Sequence, residues 1–312
     1  MDGKIVILGA GHVGSHAARA LAAGGIGREI VLVDLLEEKA AAQAMDIADS
    51  LSFPAMPADI RSGTYADCAD ADVTVVAIGK AREPGQTRLD LLGDSARMVY
   101  DLADGLRKTG VGGLVVSITN PCDIIADCLR KLLGMSRLRA FGTGTLLDTA
   151  RLLRTLSGQT GCPRDRIEAY VLGEHGDSSM IPFSAVRIDG RKPEAVPGFD
   201  AEHALRRTHD IGMDIINGKD STEFGIGQST AFLIRNILED TKAVLPLSVH
   251  LEGEYGLRGV QCGVPCVIGR NGIDRIVELP LTEPERTALY RSAEIISTHT
   301  RLADEIIAGL AQ

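Results

Sequence analysis

The sequence predicts an α/β protein: an N-terminal doubly wound parallel sheet followed by a C-terminal α+β domain. Three observations carry this reading. Short, continuously apolar runs alternate with helical stretches through the first part of the chain. A Gly-x-Gly-x-x-Gly turn, residues 9–14, joins the first run to the first helical stretch. The alternation then gives way, near residue 145, to helices mixed with a Gly- and Pro-rich strand region. Strands that are apolar at every position are buried on both faces, which is the signature of a parallel sheet covered by helices.

Residues 4–8 (KIVIL), 29–34 (EIVLVD), 59–62, 72–78 (DVTVVAI), 113–119 (GLVVSIT) and 138–141 read as six strands. Residues 16–23, 36–50, 87–110 and 124–133 read as the helices between them, and 79–85 as a polar, Pro/Gly-bearing loop. The strand at 113–119 stops at Asn120-Pro121. Beyond the boundary, 145–156, 202–217, 222–238 and 282–311 read as helices. Residues 170–172, 181–192 and 242–280 read as strand regions with turns. The domains are therefore placed at 1–145 and 146–312.

Composition bounds the function. The 312 residues are 45% hydrophobic and 24% charged, ordinary for a globular chain long enough to bury its core without staples. A net charge of −9 argues against a nucleic-acid partner, which needs a concentrated basic surface. It leaves room for an anionic substrate in a locally positive pocket. Six cysteines, at 68, 122, 128, 162, 262 and 266, form neither C-x-x-C nor a zinc-ligand spacing. They read as buried thiols in a reducing compartment, with no metal site. The chain starts almost at once on a strand, so no signal peptide is expected. No apolar run reaches the ~20 residues that span a bilayer. The expected location is the cytoplasm, with no membrane partner.

The glycine turn carries the first site. Gly9, Gly11 and Gly14, with His12 and Val13 between them, follow a strand and open a helix. Asp34 stands twenty residues beyond Gly14, closing the next strand. In that context the glycines allow close approach of a pyrophosphate to main chain, and the helix N-terminus supplies N–H groups. Asp34 would accept hydrogen bonds from the adenosine ribose and repel a 2′-phosphate, so NAD is the expected cofactor. The competing reading is a structural glycine turn with Asp34 as a helix cap.

Four segments carry the chemistry: Arg82-Glu83-Pro84-Gly85-Gln86-Thr87-Arg88; Thr119-Asn120-Pro121; Leu147-Asp148-Thr149-Ala150-Arg151; and Gly173-Glu174-His175-Gly176-Asp177. His175, with an ordinary pKa near ~6.5, suits proton exchange around neutrality. Asp148 and Arg151 are three apart on one helix and share a face, which in isolation is the spacing of a surface ion pair. An arginine can grip a carboxylate with two parallel hydrogen bonds.

Together these segments closely resemble the L-lactate/L-malate dehydrogenase family. The resemblance runs to the terminal helix through Gly253-Glu254-Tyr255-Gly256, Gly263-Val264-Pro265 and Gly269-Arg270-Asn271-Gly272. It implies a Rossmann domain followed by a catalytic domain, NAD as cofactor, and reversible hydride transfer to a small 2-keto acid. It implies that His175 is the acid/base, that Asp148 orients it, and that Arg151 binds the substrate carboxylate. Arg88, beyond a loop that resembles the family's mobile lid, would polarise the carbonyl. Asn120 would contact the carbonyl or cofactor, Thr222 would form the opposite pocket wall, and Gly79 would border the cofactor.

For the substrate side chain, the family position two before Pro-Gly is Gln in lactate enzymes and Arg in malate enzymes. Here it is Arg82, and a buried cation wants an anion, favouring oxaloacetate and malate. Glu174, Gly142-Thr143-Gly144-Thr145 and Ser221-Thr222 resemble the lactate branch, and Glu223 could neutralise Arg82. Pyruvate, or a bulkier acid of the L-2-hydroxyisocaproate type, are the alternatives. Family membership implies a homodimer or homotetramer. The residues of the fructose 1,6-bisphosphate site of activated bacterial lactate dehydrogenases are replaced by Leu153 and Glu168, so no such activation is expected. An NAD-dependent glycosidase relative would need a metal-binding Cys and His. A non-catalytic NAD-binding module would have no use for the His175, Asp148, Arg151 and Arg88 set.

Overall fold

The computed structural model describes residues 2–52, 58–79 and 88–311, and for 88–91 the main chain only. The first half alternates β1 (Lys4–Leu8), α1 (His12–Ala23), β2 (Glu29–Val33), α2 (Glu37–Ser50), β3 (Asp59–Ser62), β4 (Val73–Val76), α3 (Arg88–Thr109), β5 (Leu114–Ser117), α4 (Cys122–Leu132) and β6 (Ala140–Gly142). The second half contains α5 (Leu146–Thr160), β7 (Ile167–Glu168), β8 (Arg187–Ile188), α6 (Ala201–Lys219), α7 (Phe224–Leu238), β9 (Val244–Glu252), β10 (Arg258–Gly269), β11 (Gly272–Ile276) and α8 (Glu283–Leu310).

Strands β1–β6 are parallel, in the order 3-2-1-4-5-6. The order reverses at β1, whose two neighbours are β2 and β4. Period-two alternation sends successive side chains to opposite faces. Ile5 and Ile7 join a core with Ala17, Leu21, Ile234 and Ile237 of α1 and α7. Val6 and Leu8 join a second core with Val99, Leu106, Ile125, Leu129 and Ala303 of α3, α4 and α8. Each Val, Leu or Ile among them, taken fully out of water, stabilises the fold by roughly 1.5–3 kcal/mol.

The two halves share one sheet. Strand β9 runs antiparallel to β6, pairing Ser248 with Gly142, and β10 and β11 extend it to nine strands. Helix α4 is tied to β9 as well, since Asp127 Oδ1 accepts from Arg130 at 2.9 Å and from His250 at 3.0 Å. Helix α7 returns to the first half and packs on α1. A Cβ at Gly227 would stand 3.0 Å from the His16 carbonyl, so glycine permits that contact.

One expected strand is absent. Residues 170–172 make only an isolated bridge, Leu172 to Met180. The main chain of Val171 is used by α5 instead: its N–H donates to Thr149 Oγ1 at 2.9 Å and its carbonyl accepts from Thr145 Oγ1 at 2.5 Å. With both groups spent on side chains, no ladder can form. Among the described residues, no helix is long and apolar enough to cross a membrane.

Candidate active site

The sheet order places a crevice beyond the carboxyl ends of β1 and β4, where the connections diverge to opposite faces. The glycine turn fills one side of it. Gly9 has φ +106°, and a Cβ there would lie 2.5 Å from the Ala77 carbonyl oxygen. A Cβ at Gly14 would lie 1.8 Å from the Gly9 oxygen, so α1 can leave the turn this tightly only with glycine. Around Gly11 the space is open: a Cβ would meet only Lys39 Nζ, at 4.0 Å. Helix α1 begins at His12, four residues earlier than the sequence pattern indicates, and no side chain caps it. Its first N–H groups are left for a ligand. Val13 packs against the core, whereas the His12 side chain is 81% exposed.

Asp34 follows β2 and touches this turn. Its Oδ2 accepts from the Ala10 N–H at 2.7 Å and its Oδ1 from the Leu36 N–H at 3.0 Å. These bonds tie the glycine turn to the end of β2, but Asp34 does not cap α2, whose N-cap residue is Leu36 and which has no side-chain cap bond. A carboxylate has about four acceptor positions, so two remain for ribose hydroxyls. Gly79, three residues beyond β4, is exposed, with nothing within 4 Å of a notional Cβ. An open glycine turn, an uncapped helix N-terminus and a carboxylate beside them fit a dinucleotide of the NAD type.

In the second half, the chain brings together three residues that the sequence singles out. His175 Nδ1 lies 2.6 Å from Asp148 Oδ2, and Arg151 Nη1 donates to Asp148 Oδ1 at 2.9 Å. Asp148 thus bridges the histidine and the arginine, with its side chain 9% exposed. Its negative charge raises the His175 pKa from 6.5 to about 9, against the opposing effect of burial. Burial pushes the Asp148 carboxyl up, but the His175 and Arg151 cations outweigh it and hold the carboxyl below its ordinary value. With Nδ1 given to Asp148, Nε2 is the ring nitrogen left for chemistry. Gly212 of α6 lies over the guanidinium, where a Cβ would stand 3.4 Å from both Arg151 terminal nitrogens.

The remaining residues stand on other elements. Asn120 is exposed just beyond β5, its carbonyl accepting from Ser95 Oγ at 3.2 Å. Thr222 is half-buried between α6 and α7. Glu223 next to it lies 3.4 Å from His12 Nδ1 and also pairs with Lys219 and Ser221, so the α7 wall reaches the glycine turn. Arg82 lies outside the described residues. So does the Arg88 side chain, although its main chain begins α3. Leu153 packs into the cluster around Leu152 and Leu156, and Glu168 is exposed on β7.

Asp123 is a contributor the motifs do not reveal. It is 1% exposed, and its Oδ2 accepts from the His175 N–H at 2.8 Å while Ser248 Oγ donates to Oδ1 at 2.5 Å. Burial pushes its pKa up to about 6, against those hydrogen bonds. In the sequence it is an acid in the first turn of a helix, the ordinary place for one. Its one distinguishing signal is the apolar run that follows it.

Comparison with known proteins bears on the whole chain. The family model described as lactate/malate dehydrogenase, NAD binding domain, matches residues 3–142, and that of the alpha/beta C-terminal domain matches 145–305. The chain belongs to the lactate/malate dehydrogenase family. It is 40% identical over 304 residues to an L-lactate dehydrogenase of Fusobacterium nucleatum, covering 95% of each chain. It is 37% identical over 306 residues to L-lactate dehydrogenase 3 of Bacillus thuringiensis, covering 96% of this chain and 97% of that one. Among solved structures, a lactate dehydrogenase from a Medee basin deep-sea metagenome library superposes with a TM-score of 0.93 at 31% identity, covering 97% and 99% of the two chains. Malate dehydrogenase from Archaeoglobus fulgidus in complex with NADH gives 0.88 at 31%, covering 96% and 99%. As a member of this family, the chain is an NAD-dependent oxidoreductase acting on 2-hydroxy acids. Among the described residues, no three His, Cys, Asp or Glu side chains gather where a metal could sit.

Proposed function

We propose that the chain interconverts malate and oxaloacetate, with His175, Asp148 and Arg151 as its working centre. The observation that carries the chemistry is Asp148 facing both other side chains at hydrogen-bond distance. One carboxylate between two cations leaves one positive charge unbalanced, which is what a substrate carboxylate needs. Arg151 takes that carboxylate on the guanidinium N–H groups not used by Asp148. His175, protonated at Nε2, donates its proton to the carbonyl oxygen as the carbonyl carbon is reduced. Its Nδ1–H stays on Asp148 throughout. Arg88 polarises the same oxygen, and Asn120 and Thr222 complete the walls. Bound NADH supplies the hydride. In the reverse direction, neutral His175 takes up the hydroxyl proton.

The choice of acid rests on Arg82, a second cation for a second carboxylate. Glu223 already has Lys219, Ser221 and His12 as partners, which supports Arg82 keeping its charge for the substrate. Pyruvate is the second reading, favoured by the relatives named L-lactate dehydrogenase. The test is kcat/KM with NADH for oxaloacetate, pyruvate and 4-methyl-2-oxopentanoate. Oxaloacetate should lead, and Arg82→Gln should move the preference to pyruvate. A wild-type preference for pyruvate would reverse the choice of acid. We also infer a homo-oligomer from family membership, which light scattering on the purified protein tests: a mass of one chain would overturn it.

A further inference from the structure

The five residues from Glu174 to Ser178 carry His175, and they are held from two sides. From the Rossmann side, Asp123 takes the His175 N–H. On the other side stands the terminal helix α8. The Glu174 N–H donates to Ser292 Oγ at 2.8 Å, Ser292 Oγ lies 2.9 Å from Ser178 Oγ, and Ser178 Oγ donates to Glu174 Oε2 at 2.5 Å. The hydrogens can run only one way. An amide only donates and a carboxylate only accepts, so the Ser292 proton goes to Ser178 and the Ser178 proton to Glu174. The result is a closed ring that fixes both ends of the segment around His175.

Ser292 differs from two other hydroxyl residues of α8. Thr287 and Thr298 each turn back to the carbonyl four residues earlier, of Glu283 and Glu294, both at 2.9 Å. Ser292 instead points out of its helix into the loop, with 0% exposure. Its neighbours Leu289, Ala293 and Ile296 are buried in the core, so the helix is a rigid mount. The loop is shaped to meet it: Gly173 has φ +95°, and a Cβ there would lie 2.5 Å from Ser292 Oγ. Two further contacts bracket the segment. Gly173 and Gly263 exchange main-chain hydrogen bonds at 2.9 Å, and Ser179 Oγ lies 2.9 Å from His209 Nε2.

We propose that Ser292, 117 residues beyond the histidine, is a positioning residue that sets the imidazole of His175 against Asp148 through the Glu174–Ser178 ring. This rests on His175 being the acid/base. Around the imidazole, Asp148 and Asp123 favour its charged form and Arg151 opposes it, while Glu174 acts on Asp123. A loop freed from Ser292 loosens the short Asp148 contact, and misplacement by about 1 Å costs on the order of a hundredfold in rate where geometry is critical.

The experiment is Ser292→Ala in the full-length protein, with NADH and the keto acid that the panel selects. The expected result is a kcat lower by about tenfold, a keto-acid KM changed by less than about twofold, and a pH limb of reduction moved below that of the wild type. Ser292→Cys, a weaker hydrogen-bonding group of similar size, should recover part of the loss. Should Ser292→Ala not yield folded protein, Ser178→Ala opens the same ring from the loop side and should show the same signature, smaller. A lowered melting temperature with wild-type kcat and pH profile in the folded variant would overturn the proposal and leave Ser292 as packing alone. His175→Asn separates the two levels. If it stays active, the assignment of the acid/base fails; if it is inactive while Ser292→Ala and Ser178→Ala behave as wild type, only the positioning role fails.

Discussion

Replacing Asp148 by Asn keeps the shape of the side chain and removes the charge that His175 and Arg151 share. The surroundings raise the His175 pKa from 6.5 to about 9, chiefly through Asp148. At about 1.4 kcal/mol per pH unit, that favours the imidazolium by about 3 kcal/mol. Without Asp148 the favourable contribution disappears while burial, which opposes charge, remains. The histidine should then titrate at or below ~6.5. The sign is fixed by the chemistry. Keto-acid reduction consumes a proton from His175, so in the wild type it should hold up to about pH 9 and fall above. Hydroxy-acid oxidation needs the neutral ring and should rise through the same point. In Asp148→Asn, reduction near pH 8 should fall by at least about thirtyfold, and its pH limb should move down by two units or more. The same linkage acts on folding. A raised histidine pKa contributes stability fully present below 6.5 and lost between 6.5 and about 9, so the variant should lose stability most at pH 6 and least at pH 9.5. The assay is NADH absorbance over pH 5–10, beside thermal melts. A variant that keeps a limb near pH 9 would refute Asp148 as the source of the raised pKa.

Other substitutions test separate parts of the site. Arg151→Lys should raise KM for the keto acid by about ten- to hundredfold, with the KM for NADH unchanged, because an ammonium cannot make the two-pronged contact; an unaffected keto-acid KM removes Arg151 from the anchor role. Asp34→Ser should narrow the preference for NADH over NADPH by about tenfold or more, read as the ratio of kcat/KM values, since the charge facing a 2′-phosphate is gone. An unchanged ratio would mean that Asp34 serves only the Ala10 and Leu36 amides. Fructose 1,6-bisphosphate at millimolar concentration should leave KM and kcat unchanged, with Leu153 apolar and part-buried and Glu168 carrying a like charge; a lowered KM contradicts this.

Where function is encoded locally, the sequence is readable. The turn from β1 to α1 needs glycine at positions 9 and 14 for steric reasons internal to a dozen residues, and Asp34 sits where β2 must end. Asp148 and Arg151 share a helix face, so their partnership follows from spacing. What joins Asp148 to His175 is a distance across the fold, and there the family motif, not any periodicity, pointed the way. The supports of His175 were hidden for the same reason. Asp123 looks like a helix-start acid and Ser292 like a small residue on an amphipathic helix; only packing turns both toward residues 173–178. The continuity of the sheet through residue 145 was likewise invisible, because β6 and β9 meet at one residue pair. The strand expected at 170–172 is absent because local β character is overruled by Thr149 of α5 and Thr145 at its N-cap, which take the main-chain groups of Val171.

The most direct measurement is a crystal structure of the protein with NADH and oxamate, an unreactive mimic of a 2-keto acid. The oxamate carboxylate should lie against Arg151, its carbonyl oxygen against His175 Nε2, and the nicotinamide ring beside that carbonyl. Oxamate held away from Arg151, or His175 turned so that Nε2 faces protein rather than ligand, would contradict this arrangement.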